Sequence, residues 1–336
     1  MTSETTAAAV PRERGWGRVL VALAFVLIAS RILGPLADAL LFVIAVVAGL
    51  MIAAWRLGGS AFSALAWTLL AGWSLLQRPG GMQGLPALEG AFALVLGATY
   101  GTVTLARPGP FLTRALASVA IAVAVLALFV QTLGPGLARG LSLVRERYAE
   151  SVRAVGEQFL RLATEQVRRG NSPEAAAQLT EVRAFVDLAQ QRVPAALTAV
   201  APALLALESL AILALGWALY HRFSRVRLGL PLSPLAEFRF PDGLVWAIVA
   251  GLAVVVTPGL APIRGVAANL LVFFGTLYAV RGIGVLWFFT APGPVATVLA
   301  AMIGLIFIQA VLPTAACIGL SDTWIDWRRR LAADTP

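Results

Sequence analysis

Four polar residues stand inside long apolar runs: Glu208, Asn269, Arg281 and Gln309. A carboxylate, a guanidinium and two carboxamides supply charge and hydrogen bonds, which is the chemistry of holding a ligand or another helix. Glu208 lies near the middle of Pro194 to Tyr220, a stretch that at about 1.5 Å per residue crosses a hydrocarbon core of about 30 Å. An ionised carboxylate at that depth is costly unless it is paired, protonated or turned to a wet cavity, so it marks a functional site by default. Two readings of the four residues stand side by side. In one they line a cavity that holds a polar ligand between helices. In the other they are interhelical hydrogen bonds and one ion pair, Arg281 with Glu208, that fix the packing.

Other reactive types are scarce. Asp322 and Asp326 are one helical turn apart beside Arg328, Arg329 and Arg330, yet no histidine joins them, and salt bridging at a membrane edge accounts for their spacing. One cysteine, Cys317, and one histidine, His221, exclude a disulfide framework and the usual Cys/His zinc sites; His221 beside Arg222 reads as an interfacial residue. All 26 basic residues are arginine, which removes a Schiff-base lysine and a phosphate-binding loop of the kind that requires lysine. No G-x-S-x-G, H-E-x-x-H or G-x-G-x-x-G occurs in a usable context. The expectation is a protein that is not an enzyme, with no cofactor, no catalytic residue and no metal site.

The elements that must position these residues are membrane helices. The chain is 59% hydrophobic and only 13% charged, with a mean hydropathy of +0.84, and its apolar residues come in unbroken blocks. We expect an all-α polytopic bundle of about eight or nine membrane helices with an extramembrane helical hairpin inserted mid-chain. The expected divisions are a tail over 1–15, N-terminal membrane helices over 16–135, the hairpin over 136–193, C-terminal membrane helices over 194–330 and a tail over 331–336. Within the N-terminal part, Gly97 and Gly101 have the small-xxx-small spacing that lets helix backbones approach closely. In the hairpin, charges of both signs return, and Leu141, Val144, Tyr148, Val152, Val155, Phe159 and Leu162 form a stripe of helical period.

The net charge of +9 does not point to nucleic acid, because the arginines are spread over loops and helix ends. The lipid bilayer is the expected partner, with a small-molecule ligand or a membrane protein as the second. A cytoplasmic N-terminus puts Arg56, Arg107, Arg114, Arg222, Arg225, Arg227 and Arg239 inside and the hairpin outside, in a bacterial inner membrane. Nine crossings would then place Arg328 to Arg330 outside, so one segment should fail to cross. The candidates are a break at Arg281-Gly282-Ile283-Gly284, and Val19 to Ser30. Trp55, Trp73, Trp217, Tyr220, Trp246, Trp324 and Trp327 fall where an aromatic belt would.

The last third carries a resemblance. FRFPDGLVWAIVAGL, then Asn269 leading into LYAVRGIGVLWFF, then GLSDTWIDWRRR, together resemble the YybS-like family of predicted bacterial membrane proteins, and nearly the whole chain is similar. The membrane helices of that family are in turn similar to the substrate-binding S components of energy-coupling-factor transporters. The resemblance implies a small-molecule binding or transport protein and brings no catalytic residues. The alternative from the residues alone is a non-transporting scaffold or envelope-assembly factor that works through the hairpin.

Overall fold

The computed structural model describes residues 38–78, 84–107, 109–132, 136–170 and 173–333, together with Trp16, Val19, Ala22, Leu23 and Val26. The expected N-terminal tail and most of Val19 to Ser30 lie outside the described residues. Every regular element described is helical: α1 Ala39–Arg56, α2 Ala61–Leu76, α3 Gly84–Ala106, α4 Phe111–Thr132, α5 Leu137–Gly170, α6 Pro173–Phe223, α7 Val245–Val256, α8 Arg264–Thr290, α9 Pro294–Ile306, α10 Ile308–Ile325 and α11 Trp327–Ala333. They form two compact units: residues 1–198 with 205–232, and residues 199–204 with 233–336.

The first unit is built around α1. Asp38 caps it, its carboxylate accepting the Leu40 and Leu41 amides at 3.2 and 3.3 Å, which satisfies donors that a helix start leaves free. The helix is apolar on every side, and its residues Leu41 to Val47 are all buried, as suits a helix enclosed by others. Contact with α3 is made backbone to backbone. A β-carbon on Gly97 would run into the Ala45 carbonyl, and one on Gly101 would lie 2.6 Å from the Gly49 carbonyl oxygen. Here the expected packing role of Gly97 and Gly101 is met, with Gly49 as the third member. On another side, a β-carbon on Gly216 of α6 would lie 2.5 Å from Val46.

Helix α6 differs from expectation in length. The boundary between hairpin and membrane run was placed at Pro194, but one helix of 51 residues continues from Pro173 to Phe223. Proline inside a helix removes one donor, and here the chain tolerates it at both Pro194 and Pro202. At about 1.5 Å per residue this helix is about 75 Å long, more than twice a bilayer core. It lies beside α5, where a β-carbon on Gly156 would come 2.8 Å from Val186. Tyr148 and Val186 are buried, while Val155, Phe159, Leu162 and Phe185 of the same pair of helices are exposed.

In the second unit α8 is central. It meets α10 where a β-carbon on Gly319 would strike the Tyr278 carbonyl, and one on Gly282 the Ala315 carbonyl. The helix runs unbroken through Arg281-Gly282-Ile283-Gly284, so the break expected there does not occur. Those glycines serve close helix contact. The interruption lies further on: Val295–Gly304 and Ile308–Ile325 meet at 108°.

Among the described residues five helices are long and apolar enough to cross a membrane, or six if this bent pair is one span. Two further apolar helices, Ala61–Leu76 and Asp242–Val256, are shorter. The expected eight or nine included these short runs and a first helix over Val19 to Ser30, most of which lies outside the described residues. Of the expected aromatic belt, Trp55, Trp73, Trp246, Trp324 and Trp327 are exposed, but Trp217 and Tyr220 are fully buried core residues.

Replacement of Gly97 by leucine is expected to cost about 3 kcal/mol through the clash with α1. The readout is the thermal unfolding midpoint of the protein in detergent. Gly72→Leu, at a position with nothing within 4 Å of the added β-carbon, should leave that midpoint unchanged or raise it.

Candidate functional site

The four residues singled out by the sequence divide between the units. Glu208 is in the first; Asn269, Arg281 and Gln309 are in the second. Asn269 and Arg281 are twelve residues apart on α8, about 18 Å along its axis, and Gln309 is exposed near the start of α10.

Asn269 mends a helix. Its side-chain oxygen accepts the Ala203 amide at 2.9 Å, and its amide nitrogen donates to the Ala199 carbonyl at 2.8 Å and to Gly265 at 2.8 Å. Ala199 carbonyl and Ala203 amide are the pair that an α-helix joins directly. Pro202 sits between them, so the carboxamide of α8 is inserted into the ladder of α6 beside its proline. Backbone groups in lipid must find partners inside the protein, and Asn269 provides two.

Arg281 does not pair with Glu208. Its Nε donates to the Asp322 carboxylate at 2.9 Å and its Nη1 to Asp242 at 2.9 Å. Arg328 donates to the same Asp322 oxygen at 2.6 Å and to the Ala236 carbonyl at 2.8 Å. Asp322 is 1% exposed and Arg281 2%, so this is an interior network in which one carboxylate holds two guanidinium groups. The long Arg281 side chain reaches it from α8, and Phe240 lies 5.5 Å from its charge. Asp326, the expected partner of Asp322 in an edge cluster, stands apart from it. In a left-handed conformation at the end of α10, it accepts Arg239 at 2.6 Å and Arg329 at 3.3 Å. The hydrogen bond from Arg239, foremost, holds its carboxyl below the usual carboxylate range.

Glu208 belongs to a different kind of place. Its Oε1 is buried with no hydrogen-bond partner, and the hydroxyl of Tyr148 is in the same condition. Burial first, and then the negative charge of Glu208, push the Tyr148 phenol above its ordinary range. The charge of Glu89 acts on Glu208 in turn. Glu89 is bound by Arg78, which also donates to the Pro86 carbonyl at 2.6 Å, and the charges of Arg147 and Asp38 reach Glu89 as well. Apart from Glu208, the charges that act here are two acids, Glu89 and Asp38, and two arginines, Arg78 and Arg147, so Glu208 itself is the one carboxylate of the group without a matching arginine. Tyr148 was legible only as one member of an apolar stripe. Its hydroxyl, buried on the polar side of that stripe, is what brings it into the site.

His221, expected at an interface, is buried, with its ring 4.8 Å from that of Trp217. Cys317 is exposed. Among the described residues, no three His, Cys, Asp or Glu side chains gather in a way that could hold a metal ion.

Helices of this length and apolarity, with polar groups drawn inward, define a helical membrane protein. The chain belongs to the family described as Predicted membrane protein (DUF2232), whose model matches residues 22–323. No curated protein and no solved structure matches it.

The network around Asp322 predicts a large effect from a small change. Asp322→Asn leaves two buried guanidinium groups without their shared carboxylate and should cost about 3–5 kcal/mol, measured as a fall in unfolding midpoint. Asp326→Asn, at the surface, should be nearly silent at neutral pH. Because the Asp326 carboxyl is depressed, whatever it contributes is present above the ordinary carboxylate range and lost as pH falls through its lowered value.

Proposed function

We propose that this membrane protein captures a small polar molecule, one that is cationic or rich in hydrogen-bond donors, at Glu208 and Tyr148. The observation that carries the reading is the pair of buried, unpartnered oxygens, Glu208 Oε1 and the Tyr148 hydroxyl, one of them on a carboxylate with no arginine bound to it among the described residues. Buried polar atoms are nearly always satisfied, and a group left open in the apoprotein is matched by a ligand that supplies the missing donor. The role is binding or transport, without catalysis or a cofactor. Asn269 and Arg281 serve it indirectly by holding helices in place, and Gln309 takes no part.

In this reading α5 and the first part of α6 form an extramembrane hairpin outside the bacterial cytoplasmic membrane, and the site lies where the hairpin meets the bundle. The length of α6, about 75 Å, supports that arrangement, as does the gathering of Arg56, Arg107, Arg222, Arg225 and Arg227 in loops and helix ends that would then face the cytoplasm. The similarity to energy-coupling-factor S components that the family resemblance implies agrees with capture of a small molecule but does not carry the proposal. A second reading, a scaffold acting through the hairpin, is favoured by the exposed Val155, Phe159, Leu162 and Phe185.

Native mass spectrometry of gently purified protein separates the two. Capture predicts a bound small molecule in the wild type that is depleted at least tenfold in both Glu208→Gln and Tyr148→Phe. A bare wild-type chain with the same spectrum as the variants contradicts it, and a stoichiometric protein partner lost in Phe159→Ser supports the scaffold.

A further inference from the structure

Elsewhere in the first unit stands an interior cation with no counter-charge among the described residues. Arg114, in the first turns of α4, is 3% exposed, and its Nε and Nη1 have no hydrogen-bond partner. Its guanidinium lies over the Trp217 ring, 4.5 Å from the ring centre. A guanidinium stays charged at any working pH, and a buried charge left unpaired costs several kcal/mol. Its position worsens the cost, since a cation is disfavoured near a helix N-terminus.

The surroundings carry groups able to donate hydrogen bonds. His221 packs its ring edge against the same Trp217, is 4% exposed, and leaves Nε2 without a partner. The hydroxyl of Tyr100, whose ring lies 6.0 Å from that of Trp217, is buried and unpartnered. Thr104, one turn further along α3, has a buried hydroxyl in the same state. The charges that reach His221 from Arg114, Arg222 and Arg227 are all positive, and the charge that reaches Tyr100 is again that of Arg114.

The chain after α6 folds over this group. Trp217 Nε1 donates to the Leu230 carbonyl at 3.0 Å, the Tyr220 hydroxyl donates to the Val226 carbonyl, and Ser224 Oγ donates to it at 2.8 Å. That brings Gly229 over the guanidinium, where a β-carbon would be 3.3 Å from Nη2 and 3.4 Å from Nη1.

We propose that Arg114, with Tyr100, Thr104 and His221, binds a phosphate group, delivered either as free phosphate or as the headgroup of an anionic lipid. The fork of Arg114 matches two phosphate oxygens, the hydroxyls and the imidazole supply further donors, and the positive end of α4 favours the same charge. This site is separate from the Glu208 cluster. Along α6, Glu208 and His221 are thirteen residues apart, about 20 Å, and the two ends attract charges of opposite sign.

The test uses the full-length protein, stripped of lipid in a non-ionic detergent. Thermal unfolding is followed while inorganic phosphate is titrated against chloride at matched ionic strength, and again in nanodiscs of phosphatidylglycerol against phosphatidylcholine. A ligand that binds the folded state raises the midpoint. The expected result is a rise with phosphate, which assigns the free anion, or with phosphatidylglycerol alone, which assigns the lipid headgroup. Apparent affinity should be at least tenfold weaker in Arg114→Gln. His221→Phe, which keeps the ring against Trp217, should weaken it several-fold and gives the decision if Arg114→Gln does not fold. No rise in the wild type with either probe overturns the proposal, as does a response undiminished in the variant that folds.

Discussion

With only 13% of its residues charged, the chain is governed by one constraint: a polar group drawn into the interior must be answered there, because an apolar surround gives it no other partner. Asp322 shows the constraint met through one of its two oxygens, Oδ2. One carboxylate, almost without exposure, takes hydrogen bonds from Arg281 of α8 and Arg328 of α11, and Arg328 reaches on to the carbonyls of Ala236 and Phe238. The second unit is thereby tied across three segments distant in sequence. Asn269 meets the same constraint for the backbone, where Pro202 disturbs the ladder of α6.

Buried polar atoms without a partner also occur in the Asp322 network, at Asp322 Oδ1 and Arg328 Nε, but in the first unit they belong to two groups that lack such a network. Glu208 with Tyr148 at one end of the first unit, and Arg114 with Tyr100, Thr104 and His221 at the other, keep buried polar atoms without partners. The framework around them is tight, with α1 and α3 in backbone contact through Gly49, Gly97 and Gly101. Looseness therefore does not explain the open groups. A rigid bundle that leaves a carboxylate open at one end and a guanidinium at the other presents two binding sites of opposite charge preference on one set of helices.

Much of this was legible in the sequence where the signal is local. The glycine spacing in α3, the apolar stripe of α5 and the special status of Glu208 follow from residue type and period. What was not legible depends on which helices meet. Asp322 and Asp326 look alike in sequence, yet Asp322 is interior and Asp326 superficial, because only Asp322 faces α8. Gly282 and Gly284 read as helix weakeners, but they lie at contacts with Ala315 and Leu235 that a side chain would obstruct. Pro194 read as a helix boundary and is not one, since a single missing donor in a helix of 51 residues does not stop it. Arg114, four residues past Pro110, reads in the sequence as one more arginine at a helix end; its burial follows from Trp217 and the chain after α6 lying against it.

The central claim is that open polar groups are kept for a ligand and contribute nothing to holding the apoprotein together. The most direct measurement is the unfolding midpoint of ligand-free Glu208→Gln beside that of the wild type at neutral pH. The account predicts a midpoint equal to or above the wild type, because the amide removes an unpartnered carboxylate without breaking any bond. A fall in midpoint equivalent to a loss of about 3–5 kcal/mol, the size expected when a buried ion pair is broken, would contradict it and make Glu208 a structural residue.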